Sequence, residues 1–173
     1  MSSAPDTVET DVACLVRSAQ SGDRVAFAEL YQRFTRMVHG VVLARIARAD
    51  VDDVVQDVFM TALERLGSLR EPAAFGGWLA AIARHRATDH GRQTPPTETL
   101  VHDVASTGGG DHLEALAILD AIRALPDAYR ETLVLRLVEG MSGAEIADRT
   151  GLTPASVRVN LHRGMKLLRE KLT

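Results

Sequence analysis

Apolar residues recur along most of the chain at the three- and four-residue spacing of amphipathic helices. In the N-terminal part this spacing predicts four helices, because each apolar run is bounded by capping residues, glycine or proline. The predicted helices cover residues 10–20, 24 to about 47–50, 52 or 53 to 66, and 72 to about 91. Their apolar positions include Leu15, Phe27, Leu30, Tyr31, Phe34, Val58, Phe59, Leu63, Leu66, Phe75, Trp78 and Leu79.

The C-terminal part repeats the helical pattern, with helices predicted near 112–124, 127–139, 143–150 and 154–171. Between the two parts, QTPPTETLVHDVASTGGGD at 93–111 contains paired prolines, three glycines and no apolar period. A segment of this length is too long for an ordinary connection and is typical of a flexible linker. The prediction is an all-α chain of two small helical domains, 10–92 and 112–173, joined by the linker 93–111.

Composition restricts the class of protein to which these helices belong. A hydrophobic content of 46% and a charged content of 25% are those of an ordinary soluble protein. No apolar run approaches the roughly 18 residues that span a bilayer, and the N-terminus lacks the apolar core of a secretory signal. We therefore predict a cytoplasmic protein without direct membrane insertion. The single Cys14 excludes an internal disulfide, and its apolar neighbours indicate a small core residue rather than a nucleophile.

The segment 142–164, SGAEIADRTGLTPASVRVNLHRG, has the pattern of a helix-turn-helix. Ile146 and Ala147 turn inward on a short helix, and Gly151 permits a positive φ in the turn. The second helix begins with Thr153 as N-cap and Pro154 at its first position. Its apolar stripe is Val157, Leu161, Met165, Leu168 and Leu172.

The opposite face of that second helix favours nucleic-acid binding over an ordinary solvated hairpin. It presents Arg163 and Lys166, with Arg158 on its flank, and residues 156–166 include no acid. A net charge of −3 excludes a protein covered uniformly in cations, but it leaves room for such a local basic stripe.

Two further surfaces stand out in the N-terminal part. Asp52, Asp53, Gln56 and Asp57 lie off the apolar stripe of the third helix. Helix capping explains the first two acids but explains Asp57 less well. The fourth helix ends in a group rich in cations: Arg84, His85, Arg86, Asp89, His90 and Arg92. The loose spacing of His85, Asp89 and His90 argues against zinc, and we predict neither a metal nor a cofactor.

DVDDVVQDVFMTALERL followed by FGGWLAAIARHRATDHGRQ resembles the second conserved region of bacterial extracytoplasmic-function sigma factors. LPDAYRETLVLRLVEGMSGAEIADRTGLTPASVRVNLHRGMKLLREKL resembles their fourth region. The resemblance covers residues 10–92 and 112–172, in the order and with the linker that this two-domain subgroup has. The recognition helix departs from the family pattern at Val159 and Asn160, which bears on the promoter sequence that is read.

The resemblance implies a transcription initiation factor that binds RNA polymerase core and directs it to specific promoters. Core binding would involve the β′ clamp helices and the β flap, and an anti-sigma factor would control it. By position, Asp53, Gln56 and Asp57 match the polymerase-docking motif. Residues that match the minus-ten-binding end of region two are Arg84, His85, Arg86, Asp89 and Arg92. Residues assigned to the minus-thirty-five element are Ser156, Arg158, Val159, Arg163 and Lys166.

Other functions fit parts of the pattern. A LuxR-type regulator has a similar helix-turn-helix arrangement and binds duplex DNA as a dimer, but it does not need the acidic DVVQDVF surface. An anti-sigma or adaptor protein would bind only protein partners. An enzyme is least favoured, because the sequence offers no nucleophile–base pair, glycine-rich phosphate loop or ligand cluster of useful spacing.

Overall fold

The computed structural model describes residues 6–94 and 109–173, and within these ranges the chain is all-α, as predicted, with no strand. Residues 95–108, most of the predicted linker, lie outside the described residues. The α-helices are α1 Asp6–Gln20, α2 Arg24–Leu43, α3 Val51–Arg65, α4 Phe75–Gln93, α5 Gly109–Arg123, α6 Asp127–Leu137, α7 Gly143–Thr150 and α8 Pro154–Leu172. We refer to α1–α4 as the first half and to α5–α8 as the second half.

Capping residues place the helix starts close to where the sequence predicts them. The Asp23 carboxylate accepts hydrogen bonds from the Val25 and Ala26 backbone amides at 2.9 and 3.2 Å, and α2 begins at the next residue. Pro72 opens a 3-10 turn that leads directly into α4. These side chains satisfy or remove amides that a helix start leaves without partners, which fixes the first turn.

Helix α2 is the centre of the first half and packs against α1, α3 and α4. Leu30, Phe34 and Met37 lie on its buried faces, and the Phe34 ring meets the edge of Phe75 from α4 with centroids 5.0 Å apart. Burial of a side chain of this size contributes about 1.5–3 kcal/mol. The second half is organised around α6, which packs along α8.

The crossing of α6 and α8 is close because α8 has a glycine there. Gly164 is buried, and a Cβ at this position would lie 3.0 Å from Leu133 Cδ1 and 3.2 Å from Tyr129 Cβ. The sequence pattern assigns this glycine to neither face of α8. The structure places it between two helices of the second half.

The two halves pack against each other, which the sequence gives no sign of. Helix α2 contacts α6 and α7, helix α4 contacts α7, and the buried apolar residues of both halves form one continuous cluster. Two glycines of the first half allow this approach. A Cβ at Gly40 would lie 2.5 Å from Leu135 Cδ2, and one at Gly76 would lie 2.5 Å from the Arg149 carbonyl oxygen.

Arginines of the second half complete the C-terminal end of α2. Arg123 donates to the carbonyls of Leu43, at 3.1 Å from Nη2, and Ile46, at 2.7 Å. Arg130 donates to the Ala44 carbonyl at 3.4 Å. The last carbonyls of a helix have no partners within it and carry partial negative charge, so cations placed there stabilise it. Helix α2 therefore ends at Leu43, earlier than its apolar pattern predicts.

Four residues that the sequence analysis placed in the core are exposed instead. Helix α1 turns Val12, Ala13 and Val16 inward and leaves Cys14 on the surface as a free thiol, so the interpretation of Cys14 as a core residue is wrong. Tyr31, Leu63 and Leu172 are also exposed, at 39%, 54% and 54%. Tyr31 still packs one side of its ring on Phe59 of α3, with centroids 4.4 Å apart, whereas Leu172 lies in the last turn of α8.

Candidate functional site

The helix-turn-helix forms as the sequence predicts. Ser142 and Glu145 make a reciprocal capping box at the start of α7, and the Ser142 hydrogen bonds lower the pKa of Glu145. Gly151 has a φ of +75° in the turn. Thr153 then accepts a hydrogen bond from the Ser156 amide at 3.1 Å, and Pro154 starts α8. Val157 is buried against the rest of the half, which fixes the direction in which α8 projects.

One face of α8 is exposed and carries cations without acids. The five residues predicted to read DNA are all exposed: Ser156, Arg158, Val159, Arg163 and Lys166. The hydroxyl of Thr153 donates to that of Ser156 at 2.8 Å, so the N-terminal turn of this face has a defined orientation. The packing of the two halves leaves the face free, because the first half contacts α7 and the turn instead.

The acidic surface of α3 is also exposed. Asp53, Gln56 and Asp57 point away from the core, and Met60 follows on the same side of the helix with 62% of its surface exposed. Methionine is enriched in protein interfaces relative to the rest of the surface, which fits an interaction role for this face. Met60 is not among the residues predicted for this surface, although its i+3 spacing from Asp57 is a signal in the sequence.

The cationic side chains at the C-terminal end of α4 lie close together, but most of them are paired with acidic side chains. Arg86 Nε lies 3.5 Å from Asp57 of α3, and His85 Nδ1 lies 3.2 Å from Asp89 on the next turn. Arg92 is exposed at the end of the helix. The Arg86–Asp57 contact joins a residue predicted to bind DNA to one predicted to bind polymerase.

Arg84 has a different environment from its neighbours because it faces the second half. Its Nε and Nη2 donate to the two carboxylate oxygens of Glu131 on α6, at 2.9 and 2.7 Å. Arg45 reaches the same carboxylate at 2.9 Å. The bond to Glu131 raises the pKa of Arg84, so the guanidinium stays charged. Neither Arg45 nor Glu131 is among the residues that the sequence predicts to be functional.

The histidines of α4 do not converge on a metal site. His90 Nε2 lies 3.2 Å from Asp50, whereas His85 pairs with Asp89. Within 6–94 and 109–173, no three histidine, cysteine or acidic residues are arranged to hold a metal ion. No helix in the described part of the chain is long and apolar enough to cross a bilayer.

An open cleft lies between the start of α4 and the helix-turn-helix. Its volume is about 1010 Å³, and its walls are mainly apolar. Leu69 and Trp78 line it from the first half, and Leu152, Val157 and Leu161 from the second.

Comparisons with known proteins match both halves. Residues 30–94 match the family described as Sigma-70 region 2, and residues 115–168 match Sigma-70, region 4. The chain is 32% identical to the ECF RNA polymerase sigma-E factor of Haemophilus influenzae, over 94% of this chain and 95% of that protein. It is also 32% identical to the RNA polymerase sigma factor CarQ of Myxococcus xanthus, over 88% and 92% of the two chains.

Among solved structures, the chain is similar to CnrH in the structure of CnrH in complex with the cytosolic domain of CnrY. The TM-score is 0.66 and the sequence identity 27%, over 94% of this chain and 97% of that one. The similarity therefore extends over both halves.

Proposed function

The chain belongs to the extracytoplasmic-function RNA polymerase sigma factors, which bind RNA polymerase core and direct it to promoters, and we propose which of its surfaces do so. The exposed face of α8 binds the minus-thirty-five element, the C-terminal end of α4 binds the minus-ten element, and the acidic face of α3 binds the core. The match of residues 30–94 to region two distinguishes this function from that of a LuxR-type regulator.

The observation that carries the DNA-binding part is the exposed face of α8. A helix that projects from a helix-turn-helix fits the major groove, where its N-terminal side chains meet base edges. On this helix Ser156, Val159 and Arg163 follow one another along the exposed face that would meet base edges. Lys166, about one turn further on, is placed to meet a phosphate. The second half would meet the β flap by surfaces other than this face.

The α3 surface supports core docking by charge and by apolar contact. Asp53 and Asp57 provide negative charge toward the β′ clamp helices, and exposed Met60 provides apolar area beside them. Complementary charge increases the association rate and selects the partner, and a buried apolar side chain adds affinity.

Charge reversal on α3 tests this docking. We expect the double variant Asp53→Lys, Asp57→Lys to lose affinity for purified core polymerase by roughly 10-fold or more, because like charges would then meet across the interface. Fluorescence anisotropy with labelled core measures the affinity, and circular dichroism checks that the helices remain. The double variant Glu114→Lys, Glu170→Lys, at exposed sites on α5 and α8, is the control with the same change of charge. Core affinity equal in both variants would contradict the docking surface.

Reading of the upstream element is tested separately, on α8. Replacing Arg163 with alanine should weaken binding of the core complex to minus-thirty-five duplex by about 1–3 kcal/mol if the side chain contacts a base edge. Arg169→Ala, further along the same helix and also exposed, should have a smaller effect. The measurement is promoter binding by the reconstituted holoenzyme, and equal losses in the two variants would argue against a groove-facing Arg163.

We also propose that an anti-sigma factor controls this chain. CnrH, which is similar over both halves, forms a complex with the cytosolic domain of CnrY. The apolar cleft beside Trp78 and Leu152 offers hydrophobic side chains against which an amphipathic helix of such a protein would pack. The proposal predicts a partner that co-purifies with the chain and that core polymerase displaces. A partner that binds without competing with core would contradict control of this kind.

A further inference from the structure

Two arginines of the first half share one carboxylate of the second half. Glu131 accepts two hydrogen bonds from Arg84, at 2.9 and 2.7 Å, and lies 2.9 Å from Arg45 Nη2. The Glu131 side chain is only 5% exposed and that of Arg45 only 13%. The charge here is unequal, since two cations face a single anion.

The first half brings the two arginines to the same place. Arg45 follows the end of α2, where its Nη1 donates to the Val41 carbonyl at 2.9 Å. Arg84 lies on α4, which packs along α2. When the halves separate, the two side chains lose the carboxylate between them, but their backbone positions on neighbouring helices of the first half are unchanged. A pair of neighbouring guanidinium groups is a ready site for an anion with two acceptor oxygens.

We propose that Arg45 and Arg84 form a binding site for a backbone phosphate of promoter DNA, and that Glu131 occupies this site when the halves are packed together. The inference rests on the proposed function, because it is the assignment of α4 to the minus-ten element that makes DNA the source of the phosphate. A phosphodiester offers the same pair of acceptor oxygens as a carboxylate. Arg45 is thereby assigned to DNA binding, a role that its sequence position did not indicate.

The surroundings favour a nucleic-acid strand over a small anion. Arg92 is exposed at the end of α4, eight residues or about two turns beyond Arg84, so a second cation follows along the helix. A strand that contacts Arg84 can continue to Arg92, which a single phosphate ion cannot. Since the Glu131 carboxylate and a phosphate would accept the same hydrogen bonds, the packed arrangement of the halves excludes DNA from this site.

The first experiment measures binding of the full chain to a fluorescein-labelled oligothymidylate of about 20 nucleotides, long enough to cover a single-strand site. Phosphate contacts are independent of base sequence, so a plain oligonucleotide is sufficient. We expect Glu131→Gln to bind it about 10-fold more tightly than the parent, because a neutral amide turns donors toward the arginines and weakens the packed state. Glu114→Gln, with the same change of charge at an exposed site, should match the parent. Equal affinities for all three chains would overturn the proposal.

The second experiment assigns the contact to Arg45. In the Glu131→Gln chain, Arg45→Gln should reduce the slope of log K against log salt concentration by about 0.7, the value for one lost contact to a single strand. Arg65→Gln, an exposed arginine at the end of α3, is the control. An unchanged slope in the Arg45 variant would overturn the assignment, and circular dichroism verifies folding throughout.

A second variant should separate the two halves without a change at Glu131. Gly76→Ala places a methyl group against the Arg149 carbonyl and should also increase oligonucleotide affinity. If neither Glu131→Gln nor Gly76→Ala increases it, the masking role of Glu131 is wrong. Core binding of the same chains distinguishes failure of the phosphate-site proposal from failure of the proposed function. If the chains bind core but fail these tests, the phosphate site is wrong and the function as a sigma factor stands.

Discussion

His39 and Glu139 connect the two halves at the scale of single residues. The His39 ring on α2 is hydrogen-bonded to the Glu139 carboxylate beyond the end of α6, and Arg36 donates to the Glu139 backbone carbonyl. The hydrogen bond and charge of Glu139, with Asp52 nearby, raise the pKa of His39 above its ordinary value of 6.5, while burial and Arg48 oppose the rise. The contact therefore depends on the proton carried by His39.

This pair predicts a pH dependence of stability with a definite sign. The pKa of His39 is higher in the folded chain than in the unfolded one, so its contribution is fully present below pH 6.5 and is lost as the pH rises through the folded-state value above 6.5. We expect the free energy of unfolding of the parent to fall over this window more than that of His39→Gln. Urea unfolding from about pH 6 to about pH 9 measures the difference.

His162→Gln is the matched control for this prediction, because His162 is exposed on α8. Its pH profile should follow that of the parent. A parallel profile for His39→Gln and the parent would show that the pair makes no pH-dependent contribution to stability.

The sequence predicted exposed residues better than buried polar ones. The α8 face could be predicted because the single apolar stripe of this capped helix must face the core, so the cations on the opposite side must face solvent. Glu131 was missed, although it shares a helical face with Leu135, four residues on, and a carboxylate on an apolar face signals a buried partner. The identity of that partner could not be predicted, since Arg45 and Arg84 are brought to it only by packing of distant segments.

At the scale of helices, two glycines inside helices have opposite roles. Gly164 is buried at the crossing of α8 and α6, whereas Gly91 near the end of α4 has no atoms within 4 Å of a built Cβ. Gly91→Ala should stabilise the chain by roughly 0.5–1 kcal/mol, because alanine loses less backbone entropy in a helix. Gly164→Leu should destabilise it by about 1–3 kcal/mol or more through overpacking against Leu133.

Equilibrium unfolding in urea measures both changes on one scale. Both substitutions improve helix propensity, so propensity alone predicts the same sign for the two. A stabilised Gly164→Leu chain would contradict the close α6–α8 crossing.

Helix bounds were predictable wherever a local signal sets them. Asp23, Ser142 and Thr153 cap their helices through hydrogen bonds to residues two or three positions away, which the sequence displays directly. The end of α2 was predicted too late because its carbonyls are satisfied by Arg123 and Arg130 from the other half. Helix ends that depend on distant residues leave no local pattern.

At the scale of the whole molecule, the packing of the two halves was the main feature that the sequence did not predict. The linker rich in proline and glycine predicted two separate domains, but linker composition carries no information on whether the surfaces of the two halves are complementary. The contacts that join them are close approaches of backbone at Gly40 and Gly76, together with ion pairs between positions far apart in sequence. Glycines within helices mark such approaches, but the pattern does not identify the opposite surface.

Gly76 provides a test of this packing. A methyl group at Gly76 would lie 2.5 Å from the Arg149 carbonyl and 3.2 Å from the Phe34 ring, and backbone atoms cannot rotate away. We expect Gly76→Ala to separate the halves and to increase the radius of gyration by a few Å above the roughly 16 Å of a compact chain of this length. Small-angle X-ray scattering measures the radius.

Gly67→Ala, at an exposed glycine with nothing within 4 Å, is the matched control and should leave the radius unchanged. A compact Gly76→Ala chain would mean that α7 shifts without release of the interface. Loss of helical signal in that variant would instead place Gly76 in the folding of the first half, against our expectation.

The packing of the halves has a consequence for the response of the genes that such a factor serves. If only the separated chain binds its targets, every apparent dissociation constant increases by the reciprocal of the separated fraction. Arg45 and Arg84 offer guanidinium groups that carry no information about bases, so this factor is the same for strong and weak promoters. The strength of the ion pairs at Glu131 and Glu139 would then set the apparent affinity for all promoters by one common factor. A change in these pairs would alter how strongly every gene responds and would leave the order of the promoters by affinity unchanged.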